Sequence, residues 1–268
     1  MRIITSILLL SSLTLGISSC NYKTSKVENE EKTSPINDST NKQEIKSISI
    51  KSKPINELQK DSSTIDIIEN KVLLPSSYRY LDDSERISKK INPDWFAIYF
   101  DGKSYQLGKI KYSIQEEPQD ECSGMFSESI KSDYNTIAYL HIKDLKAKSL
   151  DTINFQKPII NGNENSVFQW KGSLYNMVGF GRNLEDLTAE NKASYKLNLY
   201  KDNKFIKTLI NQHDYVDTHT SLIMITDLDG DNEPDFIFSS PRHYEEERLL
   251  IILSSQDGTY EGNVIFDC

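Results

Sequence analysis

Most of the chemistry legible in this chain sits in nine residues, Asp227-Leu228-Asp229-Gly230-Asp231-Asn232-Glu233-Pro234-Asp235. Counted from Asp227, aspartates fall at positions one, three, five and nine. Short acidic side chains at alternate positions of a tight loop can all turn inward, and calcium is a hard ion that takes six to eight oxygens. Gly230 eases the turn. Asn232 can take a left-handed conformation, at more cost than glycine. The main-chain carbonyl of Glu233 would supply the oxygen at position seven. The alternative is an acidic surface turn holding no ion, but four aspartates so close would repel one another without a cation. The expected calcium affinity is weak, on the order of 10⁻⁴ to 10⁻³ M, as in extracellular modules.

An EF-hand requires a carboxylate at position twelve. Position twelve here is Phe238, and both flanks are strand-like. The loop resembles the strand-flanked calcium loops of FG-GAP and VCBS-type repeats. That resemblance implies Asp227, Asp229, Asp231 and Asp235 as calcium ligands, and it departs from the pattern at position six, where Asn232 replaces the usual glycine. From Asp227 to Ser255 the order is calcium loop, strand, a polar stretch containing His243-Tyr244, then another strand. This order is similar to that of a group of bacterial lipoproteins without assigned activity, and Asp94-Trp95-Phe96-Ala97 and the terminal Cys268 are similar too. A propeller needs several blades. Only one such loop is present, and no long internal repeat accompanies it.

The elements that must position this loop read as mostly β. Trp95–Phe100 is a short apolar run closed by Asp101-Gly102, and Tyr105 to Ile114 comes close to alternation. Ser194–Tyr200 alternates clearly, and Lys201-Asp202-Asn203-Lys204 then turns the chain into Phe205–Ile210, a predicted hairpin. Further strands are expected over Ile137–Ile142, Val167–Trp170, Leu174–Phe180, Leu222–Thr226, Phe236–Phe238, Leu249–Leu253 and Tyr260–Phe266. Turn pairs at Asn161-Gly162, Lys171-Gly172 and Asp257-Gly258 separate several of them. Only Lys143–Leu150 and Leu184–Lys192 look weakly helical. The expectation is an antiparallel β-sandwich or a curled antiparallel sheet over residues 64–268. That span, about 200 residues, is enough for one substantial core.

The N-terminus gives an address. Arg2 is the one charge in residues 1–19, followed by Ile3-Ile4-Thr5-Ser6-Ile7-Leu8-Leu9-Leu10 and then small residues before Cys20. A short basic start, an apolar core and small residues before a cut site make a secretory signal. The apolar run falls short of the roughly 20 residues that span a bilayer. Ile17-Ser18-Ser19-Cys20 resembles the lipobox of bacterial lipoproteins, which implies acylation of Cys20 and anchoring by two or three acyl chains, palmitate among them. Asn21 is not the aspartate that holds some lipoproteins at an inner membrane, so the implied address is the cell envelope, at the outer membrane. Residues 20–63 are rich in Lys, Glu, Asn, Ser and Thr, too polar to offset the entropy of folding, and read as a disordered tether.

Charge and cysteine usage narrow the setting. The net charge is −9, and removal of residues 1–19 takes away one arginine and no acid, leaving −10. That balance argues against nucleic acid as a partner. With Cys20 acylated, Cys122 and Cys268 remain, and an oxidising compartment favours a disulfide between them over two free thiols.

Other chemistry is thin. His213, Asp214, Asp217 and His219 form a polar cluster whose spacing matches no zinc motif. His141 reads as packing or exposed sheet, and His243 with Glu245, Glu246 and Glu247 as a solvated turn. There is no G-x-S-x-G elbow, P-loop or dinucleotide fingerprint. The leading expectation is a non-enzymatic, calcium-stabilised binding or envelope module with a protein or glycan ligand. The alternative is a cell-envelope hydrolase with structural calcium.

Overall fold

The computed structural model describes residues 65–119, 123–155, 157–183 and 193–266. The expected signal segment, Cys20, the expected tether to residue 63, Cys122, Cys268 and the helix expected over 184–192 lie outside the described residues.

In chain order the elements are β1 (Ile67–Ile68), β2 (Val72–Leu73), β3 (Ser77–Tyr80), α1 (Ile87–Lys90), β4 (Phe96–Phe100), β5 (Tyr105–Gly108), β6 (Ser113–Glu117), β7 (Phe126–Lys131), β8 (Asn135–Leu140) and β9 (Lys148–Ser149). There follow β10 (Asn165–Trp170), β11 (Ser173–Gly181), β12 (Ala193–Lys201), β13 (Lys204–Tyr215), β14 (Ser221–Thr226), β15 (Asp235–Ser239), β16 (Glu246–Ile252) and β17 (Thr259–Ile265). The fold is mostly β, with α1 a single helical turn.

Four sheets form. Their strand orders are β3-β7-β6, β2-β8-β4-β5-β9, β1-β17-β16-β15-β14 and β10-β11-β12-β13. Pairing is antiparallel except for β1, which runs parallel to β17. Three apolar cores lie between successive sheets. Phe168, Tyr175 and Leu197 of the β10–β13 sheet meet Phe236, Phe238, Leu250 and Ile252. From the opposite face of the β14–β17 sheet, Ile237, Leu249 and Ile251 meet Ile98, Leu107 and Leu140. Ala97 and Tyr139 turn the other way, toward Ile130 and Ile87.

This layering accounts for the sequence pattern. Strands β15 and β16 are buried on both faces, so Phe236-Ile237-Phe238 and Leu249-Leu250-Ile251-Ile252 are continuous apolar runs. The β12–β13 turn places Asp202 and Asn203 at φ 50° and 64°, the doubly left-handed geometry that matches strand twist in a two-residue hairpin. The sequence expectation fails at Lys143–Leu150. Asp144 turns left-handed at φ 64°, and β9 pairs with β5 through Leu107 and Lys148. Leu145 and Leu150 are buried from an extended segment, not from one face of a helix.

Candidate metal centre

The loop 227–235 joins two neighbouring strands, β14 and β15, that are anchored in both flanking cores. Its two ends are therefore fixed, and the backbone between them has to turn tightly. Gly230 at φ 88° and Asn232 at φ 72° make that turn, so Asn232 takes the left-handed conformation in glycine's place. Within the loop, side chains accept main-chain hydrogens. Asp227 accepts from Gly230 N at 2.6 Å and from Asn232 N at 3.2 Å, and Asp229 accepts from Asp231 N at 3.2 Å.

Three of the aspartates converge. One carboxylate oxygen from each of Asp227, Asp229 and Asp235 lies within 4.8 Å of the others, and this group could hold a metal ion. Asp231 and Glu233 do not join it. Asp231 is exposed at the apex, where its carboxylate accepts from Glu233 N at 2.8 Å and from the Ser254 hydroxyl at 2.8 Å. The Glu233 side chain turns to the β10–β13 sheet, pairing with Lys201 Nζ at 2.8 Å and accepting from the Tyr175 hydroxyl.

Asp235 is the deepest of the three and has no solvent exposure. Its Oδ1 accepts from Ser254 N at 2.7 Å and its Oδ2 from Leu228 N at 2.6 Å. Burial pushes its carboxyl up to about 7 despite those amides, and the charge of Asp229 adds to the rise. Asp227 is also pushed up by burial, but the Gly230 amide and the Lys148 ammonium outweigh that and hold it below its ordinary value.

The donor set suits a hard cation: three carboxylates, with no thiolate or imidazole among them. A further oxygen lies close by in register. Thr226 pairs directly with Asp235 across the β14–β15 ladder, so the two side chains share a face. The Thr226 hydroxyl is fully buried and has no hydrogen-bond partner among the described residues. Two ammonium groups offset the acidic charge, Lys148 Nζ at 3.4 Å from one Asp227 oxygen and Lys171 Nζ at 3.6 Å from the other.

Several side chains that secure the loop lie far from it in sequence. Trp170 Nε1 donates to the Asn232 carbonyl at 2.9 Å, and Lys171 Nζ to the Asn232 side-chain oxygen at 2.7 Å. Ser255, just past β16, donates to Asp229 at 2.5 Å. A two-serine step at the end of an apolar strand was the one available sequence signal for Ser254 and Ser255.

The remaining polar groups have structural settings. His213 bonds the Ser194 hydroxyl at 3.0 Å, and His141 stacks on Trp95 with ring centroids 5.4 Å apart. The stretch after β15 is not a solvated turn throughout: Glu246 is buried and ion-paired with Arg242. Beside it Glu261 takes Arg248 at 2.7 Å and Arg242 at 3.3 Å. Both carboxylates are thus taken up by guanidinium donors.

No protein family, characterised protein or solved structure matches this chain.

Proposed function

We propose that this chain is an exported lipoprotein held at the outer membrane through acylated Cys20, and that its β domain is a calcium-stabilised, non-enzymatic module binding a protein or glycan there. The observation that supports it is the convergence of Asp227, Asp229 and Asp235 at the hinge between two core strands. Calcium suits an oxygen-only protein site of this kind better than magnesium, which keeps several waters and rarely uses an all-protein cage. Asp231 and the Glu233 carbonyl are the further ligands proposed from the FG-GAP-like spacing. The ion's role is structural: it neutralises carboxylates that the fold presses together, and so fixes the turn that joins β14 to β15. Outside the cytoplasm calcium is abundant enough to fill a weak site of this class.

The test has two arms. Membrane fractionation of the native chain and of Cys20→Ser reads the anchor: release of the variant supports it, and continued retention sinks it. Calorimetric titration of calcium into the full Cys20→Ser chain reads the site. Binding that disappears in Asp229→Ala supports the site, and heats indistinguishable between the two refute it.

A further inference from the structure

Between the β10–β13 sheet and the β14–β17 sheet lies a half-open cleft of about 240 Å³, one wall of which is formed by Glu233 and Pro234 of the acidic loop, away from the Asp227, Asp229 and Asp235 cluster. Its floor is apolar, made by Leu199, Phe236 and Ile252, with Ile206 exposed at the rim. Three charged side chains also line it: Glu233, Lys201 and Lys207. Glu233 and Lys201 satisfy each other at 2.8 Å, with the Tyr175 hydroxyl as a third member.

Lys207 is different. Its ammonium donates to two neutral carbonyls, Leu253 O at 3.0 Å and Gln256 O at 2.6 Å. An ammonium has three donors, so one proton is left over. Among the described residues no carboxylate lies within ion-pair distance of it; Asp257 and Asp235 act on it only at longer range. A partly buried cation bonded to two neutral carbonyls and without an ion-pair partner therefore lines the cleft beside its apolar residues. Burial accordingly pushes its pKa down.

We propose that this cleft binds a small free carboxylate with an apolar body, the body lying on Leu199, Phe236 and Ile252 and the carboxylate taking the third proton of Lys207. Size restricts the ligand to a fragment, because pockets for drug-sized molecules run to roughly 300 to 1,000 Å³. The wall nearest the acidic loop is held by side chains: Trp170 and Lys171 hold Asn232, while Tyr175 and Lys201 hold Glu233. The cleft therefore stands without any ion in the loop.

The test is calorimetry on the full Cys20→Ser chain with a chelator present, so that failure of the calcium reading leaves its result untouched. Octanoate is the probe, with octylammonium and octanol as controls. Octanoate should bind with a Kd on the order of 0.1 to 1 mM, typical of a fragment-sized ligand. Octylammonium should bind at least about tenfold more weakly, since it would meet Lys207 as a like charge. Lys207→Gln keeps a donor for the carbonyls and removes the charge, and should weaken octanoate about tenfold while leaving octanol unchanged. Ile206→Glu, at an exposed rim position that does not endanger folding, should weaken octanoate by a similar factor. No octanoate binding, equal binding of octylammonium, or octanoate affinity unchanged in both variants would overturn the proposal.

Discussion

Calcium should stabilise this protein by an amount set by the weak affinity expected of an oxygen-only loop outside the cytoplasm. For a Kd of about 10⁻⁴ to 10⁻³ M and about 10 mM calcium, preferential binding to the folded state contributes roughly 1.4 to 2.7 kcal/mol. In a domain of this size each kcal/mol moves the melting temperature by about 2 to 4 °C, so the rise should be about 3 to 11 °C. Asp235 makes that rise pH-dependent. Burial pushes its carboxyl up to about 7, and a cation must displace its proton. Between pH 8 and pH 5 the ionised fraction falls about a hundredfold, apparent affinity falls with it, and the rise should nearly vanish. In the calcium-free chain the same group acts in the opposite sense. Its pKa is raised by folding, so the stability it contributes is full below the ordinary aspartate range and is lost as pH rises through about 7. The assay is a thermal melt of the full Cys20→Ser chain, with calcium or chelator, at both pH values, beside Asp229→Ala. A melt at pH 8 that ignores calcium, or an Asp229→Ala rise equal to the parent's, would refute the reasoning.

Other outcomes follow from named contacts. Lys148→Gln removes an ammonium 3.4 Å from Asp227 and should tighten calcium binding by about tenfold, read by calorimetry; unchanged affinity would mean the lysine swings clear of the ion. Buried Glu128 and Glu246 are raised by burial but held below their ordinary value by stronger bonds. The Ser88 amide and Arg86 hold the first, and Arg242 holds the second. Their contribution is therefore full above about pH 4.5 and lost as pH falls through their lower folded values. Acid melts of Glu246→Gln should show a shallower loss over that range than the parent; parallel curves would remove Glu246 as a cause. Intact mass of the non-reduced chain should be two hydrogen atoms below that of the reduced chain, from a Cys122–Cys268 bridge. By the loop-entropy model such a bridge contributes up to about 4 to 5 kcal/mol, and equal masses would exclude it.

What was legible in the sequence was local or periodic. The two-sided burial of β15 and β16 writes itself as unbroken apolar runs, and the β12–β13 hairpin announces itself through alternation on either side of Asp202-Asn203. Strand β7 has no such signature. Its Phe-Ser-Glu-Ser-Ile-Lys places Ser127, Glu128 and Ser129 inside, which is tolerable only because Arg86 and Ser88 reach Glu128 from 42 and 40 residues away. The short strands β1, β2 and β9 hold their places by pairing with distant partners, not by any pattern of their own.

The acidic loop shows the same division within nine residues. Spacing alone makes Asp231 and Asp235 equivalent, since both occupy odd positions and both can turn inward. Their surroundings separate them. Asp235 is the first residue of β15, locked opposite Thr226 and capped by the Leu228 and Ser254 amides, so its carboxylate is delivered to the cluster by the sheet itself. Asp231 lies at the exposed apex, where its carboxylate accepts from Glu233 N and from the Ser254 hydroxyl outside the cluster. Ser254 thus binds both aspartates, and it arrives from β16, whose apolar register fixes where it stands. For Asp231 to join a bound ion its side chain must move from the apex toward the cluster. Asp227, Asp229 and Asp235 need no such movement to lie within reach of one another, which makes them the core of the site and Asp231 an accessory to it.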